Sequence, residues 1–226
     1  MKLVVVSAGL SVPSSTRLLG DRLAARAAGR TSADVTVVEL RDLAVEIAHN
    51  FTNGFPGRAL GAAFDAVAAA DGLIVVTPVF SASYSGLFKS FFDALSVHDE
   101  GALAGKPVLI AATGGTARHS LVLDHALRPL YAYLRAVVVP TGVYAASEDW
   151  GAEGLDGRIE RAAGELAALM TGLSTGRKPV GESPAVVPFE AQLAALKPWT
   201  RPAHSPSGHG TVPPPTAPQV HGRRIR

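Results

Sequence analysis

The sequence predicts an α/β fold: a parallel sheet of five strands with helices on both faces. Three observations carry that expectation. Short apolar, β-branched runs alternate five times with helical patterns. The runs are apolar at successive positions, as strands covered on both sides should be. Three run ends are rich in Ser, Thr, Gly or Pro, at 7–16, 77–86 and 113–119. Sheets of this kind bind ligands at the C-terminal ends of their strands.

The elements follow in order. Residues 3–6, Leu-Val-Val-Val, form the first strand, and 9–15 the loop after it. From Ser15, Leu18, Leu19, Leu23 and Ala27 recur at helical spacing. Residues 35–40 read as the second strand. The segment 42–56, with His49-Asn50-Phe51 and Asn53-Gly54-Phe55-Pro56, reads as a loop. Residues 59–70 are helical by propensity and end at Asp71-Gly72. Residues 73–76 form the third strand, stopped by Thr77-Pro78, and 85–95 an amphipathic helix. Residues 106–112 form the fourth strand, stopped by Thr113-Gly114-Gly115. A long helix is expected over 118–135, with Pro129 kinking it or altering its hydrogen bonds. Residues 137–139 and 143–144 give a fifth strand around Pro140, which suits an edge or a bulge. Residues 155–173 form the last helix.

The composition bounds the function. Of 226 residues, 47% are hydrophobic, enough to build a core. With no cysteine there is no disulfide scaffold, thiolate–zinc site or cysteine nucleophile. The net charge of +2 hides a split: residues 1–176 hold 14 Lys+Arg against 17 Asp+Glu, and residues 177–226 hold 7 against 2. The tail also carries 10 of the 16 prolines. Three parts are therefore expected: a domain over 1–176, an arm over 177–197, and a Pro-rich basic tail over 198–226 without fixed structure. The basic balance comes from the tail alone, no groove-reading motif accompanies it, and no nucleic-acid partner is expected. Met1-Lys2 is followed by four apolar residues, and no apolar run reaches about 18 residues. A soluble cytoplasmic protein with no membrane partner is the expectation.

The three loops carry the chemistry. Ser7-Ala8-Gly9-Leu10-Ser11-Val12-Pro13-Ser14-Ser15-Thr16-Arg17 runs from strand to helix. Hydroxyls and unpaired N–H groups at a helix N-terminus suit an anion, and Arg17 could add charge. Ordinary capping by Ser14 or Ser15 explains the same serines. The loop has neither the Gly-Lys-Ser/Thr of a Walker motif nor the glycines of GxGxxG. The second loop, Thr77-Pro78-Val79-Phe80-Ser81-Ala82-Ser83-Tyr84-Ser85-Gly86, could lie against a flat heteroaromatic ring, or be a turn with core aromatics. The third, Thr113-Gly114-Gly115-Thr116, permits close backbone approach, or is a turn and a cap. Together they offer a phosphate cradle and two walls for a planar ring, a mononucleotide site for which flavin mononucleotide (FMN) is the obvious candidate.

Several stretches resemble the NADPH-dependent FMN reductase family, whose fold is flavodoxin-like. They are 70–80 (Ala-Asp-Gly-Leu-Ile-Val-Val-Thr-Pro-Val-Phe), Tyr84-Ser85-Gly86-Leu87-Phe88-Lys89 and Leu103-Ala104-Gly105-Lys106-Pro107-Val108. Ala112-Thr113-Gly114-Gly115-Thr116 followed by Asp124-His125-Ala126-Leu127-Arg128-Pro129 is similar to the reductases of two-component alkanesulfonate monooxygenases. The opening 7–19 is similar to actinobacterial reductases partnered with luciferase-like monooxygenases. The resemblance covers about residues 1–173. It implies a three-layer flavodoxin-like sandwich with strand order 2-1-3-4-5. It implies an enzyme that passes hydride from NADPH or NADH to FMN and supplies reduced flavin to a luciferase-like monooxygenase. A homodimer or homotetramer is also implied. By position, Ser11, Ser14, Ser15, Thr16 and Arg17 fall on the family's phosphate loop. Pro78, Val79, Phe80 and Ser81, and Thr113, Gly114 and Gly115, fall on its two ring-binding segments. Many relatives read Gly-Ser-x-Arg where this chain has Gly9-Leu10-Ser11. His125, with Pro129 one turn on, matches a bulged interfacial helix.

No side chain is assigned a catalytic role, because the cofactor carries the chemistry. His49 and His98 read as loop histidines without partners, so no metal is assigned. His119 reads as a first-turn helix residue near the flavin loop. Lys89 and Asp93 are expected to pair at i, i+4. Leu87, Phe88, Phe91 and Phe92 are either core or part of an interface. The alternatives are a quinone, azo or chromate reductase on the same fold, or a flavodoxin-like electron carrier that does not use NAD(P)H.

Overall fold

The computed structural model describes residues 1–174, 190, 191 and 193. Its strands are β1 (Lys2–Ser7), β2 (Asp34–Glu39), β3 (Gly72–Phe80), β4 (Ser83–Tyr84), β5 (Pro107–Gly114), β6 (Val137–Val138) and β7 (Val143–Ala146). Its α-helices are α1 (Ser15–Thr31), α2 (Ala44–Asn53), α3 (Arg58–Ala69), α4 (Gly86–His98), α5 (Arg128–Tyr133) and α6 (Glu153–Ser174).

The sheet has seven strands rather than five, in the order β2-β1-β3-β5-β6. Two departures account for the difference. The expected fifth strand is broken around Pro140: β6 pairs with Pro107 and Val108, and β7 pairs further along with 111–114. The short β4 folds back antiparallel on β3 across Ser81 and Ala82, both at positive φ. All other pairings are parallel.

Each face of the sheet has its own core. Leu3, Val5, Ile74, Val76, Leu109 and Ala111 pack under α1 and α6 with Leu19, Leu23, Ile159 and Leu166. The alternate residues Val4, Val6, Leu73, Val75, Val108 and Ile110 pack against Phe64, Phe88, Phe91, Phe92 and Tyr131. Burying each such side chain is worth about 1.5–3 kcal/mol. Phe88, Phe91 and Phe92 are thus core, and only half-buried Leu87 of that group has area left over. Lys106 is fully buried; its Nζ donates to the carbonyls of Val67, Ala68 and Ala70 at 2.7, 2.8 and 2.7 Å. The ammonium thereby satisfies the C-terminal end of α3, where carbonyls lack helical partners.

Several local expectations are corrected. Residues 42–56 are not a loop: Leu40–Leu43 form a 3-10 turn and Ala44–Asn53 the helix α2, which ends at Gly54 with φ +79. Ile47 is buried and Glu46 accepts from Leu60 N–H at 2.8 Å, pinning α2 to the start of α3. His49 is therefore helical, and His98 ends α4 with its ring 5.2 Å from that of Phe64. Thr77-Pro78 does not stop β3; Pro78 still pairs in register with Thr113, and β5 runs through Gly114. The long helix over 118–135 is instead a 3-10 turn (Ala117–His119), a π-helical turn (Leu123–Leu127) and α5, with Pro129 in its first turn. His119 thus sits in the 3-10 turn, and His125 in the π turn.

The chain divides into two units, Met1–Lys178 and Pro179–Arg226. Apart from residues 190, 191 and 193, which are helical and exposed, the expected arm and tail lie outside the described residues. Among those residues no helix is long and apolar enough to cross a membrane.

Candidate functional site

The register of the sheet gathers the strand ends. Ser7 lies beside Val76, Pro78 beside Thr113 and Gly114 beside Ala146. The loops after β1, β3, β5 and β7 therefore leave from one edge. A cavity of ≈ 490 Å³ opens there, within the range of about 300–1,000 Å³ usual for small-molecule sites.

Every expected site residue lines it except Arg17 and Ser81: Ser11, Ser14, Ser15 and Thr16 from the first loop, Pro78, Val79 and Phe80 from the second, Thr113, Gly114 and Gly115 from the third. Ser14 is the N-cap of α1, its hydroxyl accepting from Arg17 N–H at 3.2 Å. The N–H groups of Ser15 and Thr16 have no partner among the described residues. No acidic side chain stands in the first turn, so the positive end of the helix dipole is open to an anion. Thr16 and Thr113 share a buried hydroxyl–hydroxyl hydrogen bond of 2.8 Å, which joins the first and third loops.

Arg17 points its charge elsewhere. Its Nε donates to Asp21 at 2.7 Å and its Nη1 pairs with Glu39. The hydrogen bond to Asp21 leads the rise of its pKa above the usual guanidinium value, against a smaller lowering by burial. Glu39 also holds Arg41 at 3.0 Å, and Arg41 donates to the Ser11 carbonyl at 3.0 Å. The ion network thus braces the loop from behind. Ser81 occupies the hairpin turn beyond Phe80.

Leu10, Ser147 and Trp150 also line the cavity and were missed from the sequence. The end of the last strand looked undistinctive there; its one signal was a tryptophan directly after Ser147-Glu148-Asp149. Asp149 fixes this segment by accepting from Ala146 N–H at 2.8 Å and from Arg158 at 2.9 Å. Arg22 lies 6.0 Å from the Trp150 ring centroid, a cation–π contact. The Tyr144 hydroxyl donates to the Thr116 carbonyl at 2.7 Å. Burial, and then Asp149 and Glu148, push that phenol up and keep it a donor. No Lys, Arg, His, Asp or Glu is among the lining residues.

These parts fit FMN by their donor chemistry. Unpaired amides and hydroxyls suit a phosphate, and a neutral lining of Pro78, Val79, Phe80 and two glycines suits a flat tricyclic ring. A doubly wound α/β protein with an uncharged cavity at its strand ends is the class that fold and cavity define.

Comparison with known proteins narrows it. The NADPH-dependent FMN reductase model matches residues 1–151. An FMN reductase (NADPH) of Pseudomonas aeruginosa is 41% identical over 178 residues, 76% of this chain and 94% of that protein. An NADH-dependent FMN reductase, SfnF, of Pseudomonas fluorescens is 40% identical over 174 residues, 75% and 91% of the two chains. An oxidoreductase structure from Corynebacterium diphtheriae superposes with TM-score 0.72 at 50% identity, covering 76% of this chain and 97% of that one. The fold is flavodoxin-like: an archaeal flavodoxin structure, 14% identical, matches with TM-score 0.51 over 77% of this chain and 99% of its own. The chain belongs to the NADPH-dependent FMN reductase family. It is an oxidoreductase that uses FMN and NAD(P)H.

Proposed function

We propose that FMN is held in the ≈ 490 Å³ cavity with its phosphate at the N-terminus of α1 and its ring between 78–80 and 113–115. The observation that carries this reading is the convergence of four strand-end loops on one uncharged cavity beside the unpaired amides of Ser15 and Thr16. Ser11, Ser14, Ser15 and Thr16 take the phosphate. Arg17, turned to Asp21 and Glu39, braces the loop rather than contacting the phosphate.

Bound FMN supplies the two-electron acceptor for hydride from NAD(P)H. The chain's own residues orient and enclose. Thr113, Gly114 and Gly115 present backbone to one edge of the ring, and Phe80 and Trp150 exclude water from the cavity mouth. The lining has no titrating side chain to act as acid or base, consistent with chemistry carried by the cofactor.

The resemblance to reductases of two-component systems supports delivery of reduced flavin to a luciferase-like monooxygenase. It also supports a homodimer or homotetramer. A quinone, azo or chromate reductase and an electron carrier receive no comparable support from the family match.

The test is NAD(P)H oxidation by purified protein with FMN or with riboflavin, which lacks the phosphate. FMN-dependent oxidation is expected, with KM for riboflavin about tenfold or more above that for FMN. Equal KM values contradict the phosphate site at α1.

A further inference from the structure

A second cleft, of ≈ 340 Å³, opens on the same sheet edge. Its lining includes Ala82, Ser83, Arg118, His119, Leu121 and His125. It adjoins the first cavity on two sides. Phe80 lines the cavity and Ala82 the cleft, two residues apart across the hairpin; Gly115 lines the cavity and Arg118 the cleft, three residues apart. Three residues of chain span about 11 Å at most.

The two sites are opposite in character. The cavity has no charged side chain in its lining, whereas the cleft has the guanidinium of Arg118 and the imidazoles of His119 and His125. Among the described residues, none of these three side chains makes a hydrogen bond or ion pair. Asp124, next to His125 in the chain, is already paired with Arg128 at 3.0 Å. An unmatched guanidinium beside a redox cavity indicates an anionic ligand.

The reaction brings one such ligand. Hydride transfer needs the nicotinamide in van der Waals contact with the flavin, so the rest of the dinucleotide, with its phosphates, must leave the cavity mouth. The relatives divide between NADPH and NADH. We propose that this cleft receives a phosphate of the NAD(P)H reacting next door, and that Arg118 is the residue that reads it. This rests on the FMN reductase reading of the cavity. A guanidinium suits the task because its planar donors match a phosphate's oxygens. The extra phosphate of NADPH is the group Arg118 would reward with the largest gain.

The test compares wild type, Arg118→Gln and Arg118→Lys with NADPH and with NADH at saturating FMN. Arg118→Gln is expected to raise KM about five- to tenfold, with kcat within about twofold. Arg118→Lys should restore part of the loss. A rise confined to NADPH assigns the cleft to its extra phosphate; an equal rise with both cosubstrates assigns it to the diphosphate. Unchanged KM for both, with wild-type turnover normal, overturns the proposal and leaves the flavin site standing. A change of sedimentation without a change of KM overturns it too, and gives the cleft to a second copy of the chain. Absence of turnover in the wild type itself refutes the reductase reading instead.

Discussion

Gly9 and Ser14 compete for one volume. A β-carbon on Gly9 would stand 2.0 Å from Ser14 Oγ and 3.2 Å from Thr16 Cβ. Ser14 cannot yield without giving up its hydrogen bond to Arg17 N–H. Gly9→Ala should therefore cost about 1 kcal/mol of stability through the cap and weaken FMN binding about tenfold. Flavin titration and thermal unfolding read the two effects. Gly86→Ala is the control, because a β-carbon there meets nothing within 4 Å. At Gly114 the constraint is similar: the Tyr144 hydroxyl would lie 2.3 Å from an added β-carbon. The serines of the first loop were legible because capping and anion binding use the same residue types. The fate of Arg17 was not, because its partner Glu39 lies 22 positions away at the end of another strand.

At the scale of elements, the segment after β7 controls a wall of the site. Burial pushes the Asp149 carboxyl up, but the Ala146 N–H and the Arg158 guanidinium outweigh it and leave it below the usual carboxylate range. A carboxyl lowered on folding stabilises the folded segment above its unfolded value of about 3.9, and that contribution is lost as pH falls through the lower folded value. Trp150 emission should therefore be flat through neutral pH and change only below about pH 4. A transition centred near pH 6 would contradict the assignment. The principal alternation of strands and helices was legible, since both faces of each buried strand are apolar. The helix α2 was hidden by its composition: Ala44, Ile47, Ala48 and Phe51 recur at helical spacing, but of its residues only Ile47 is buried, and Asn50, Asn53 and Gly54 imitate a loop. Pro129 announced a disturbed helix, but the position of the π turn depends on packing of Leu123, Leu127 and Tyr131 against the core.

For the whole molecule, the parallel register is what makes a site out of separate loops. Ser14, Phe80, Gly115 and Trp150 are distant in sequence and share one cavity only because β1, β3, β5 and β7 end together. Three of those loops could be picked out by their turn residues; the fourth required the pairing of β7 with β5. The central claim is that FMN occupies this shared cavity, and Trp150 reports on it directly. The chain has two tryptophans, so Trp199→Phe leaves Trp150 as the only indole emitter. Titrating that variant with FMN should quench its emission saturably, over the concentration range that supports NAD(P)H oxidation. Full FMN-dependent turnover with Trp150 emission unmoved would place the flavin elsewhere and contradict the account.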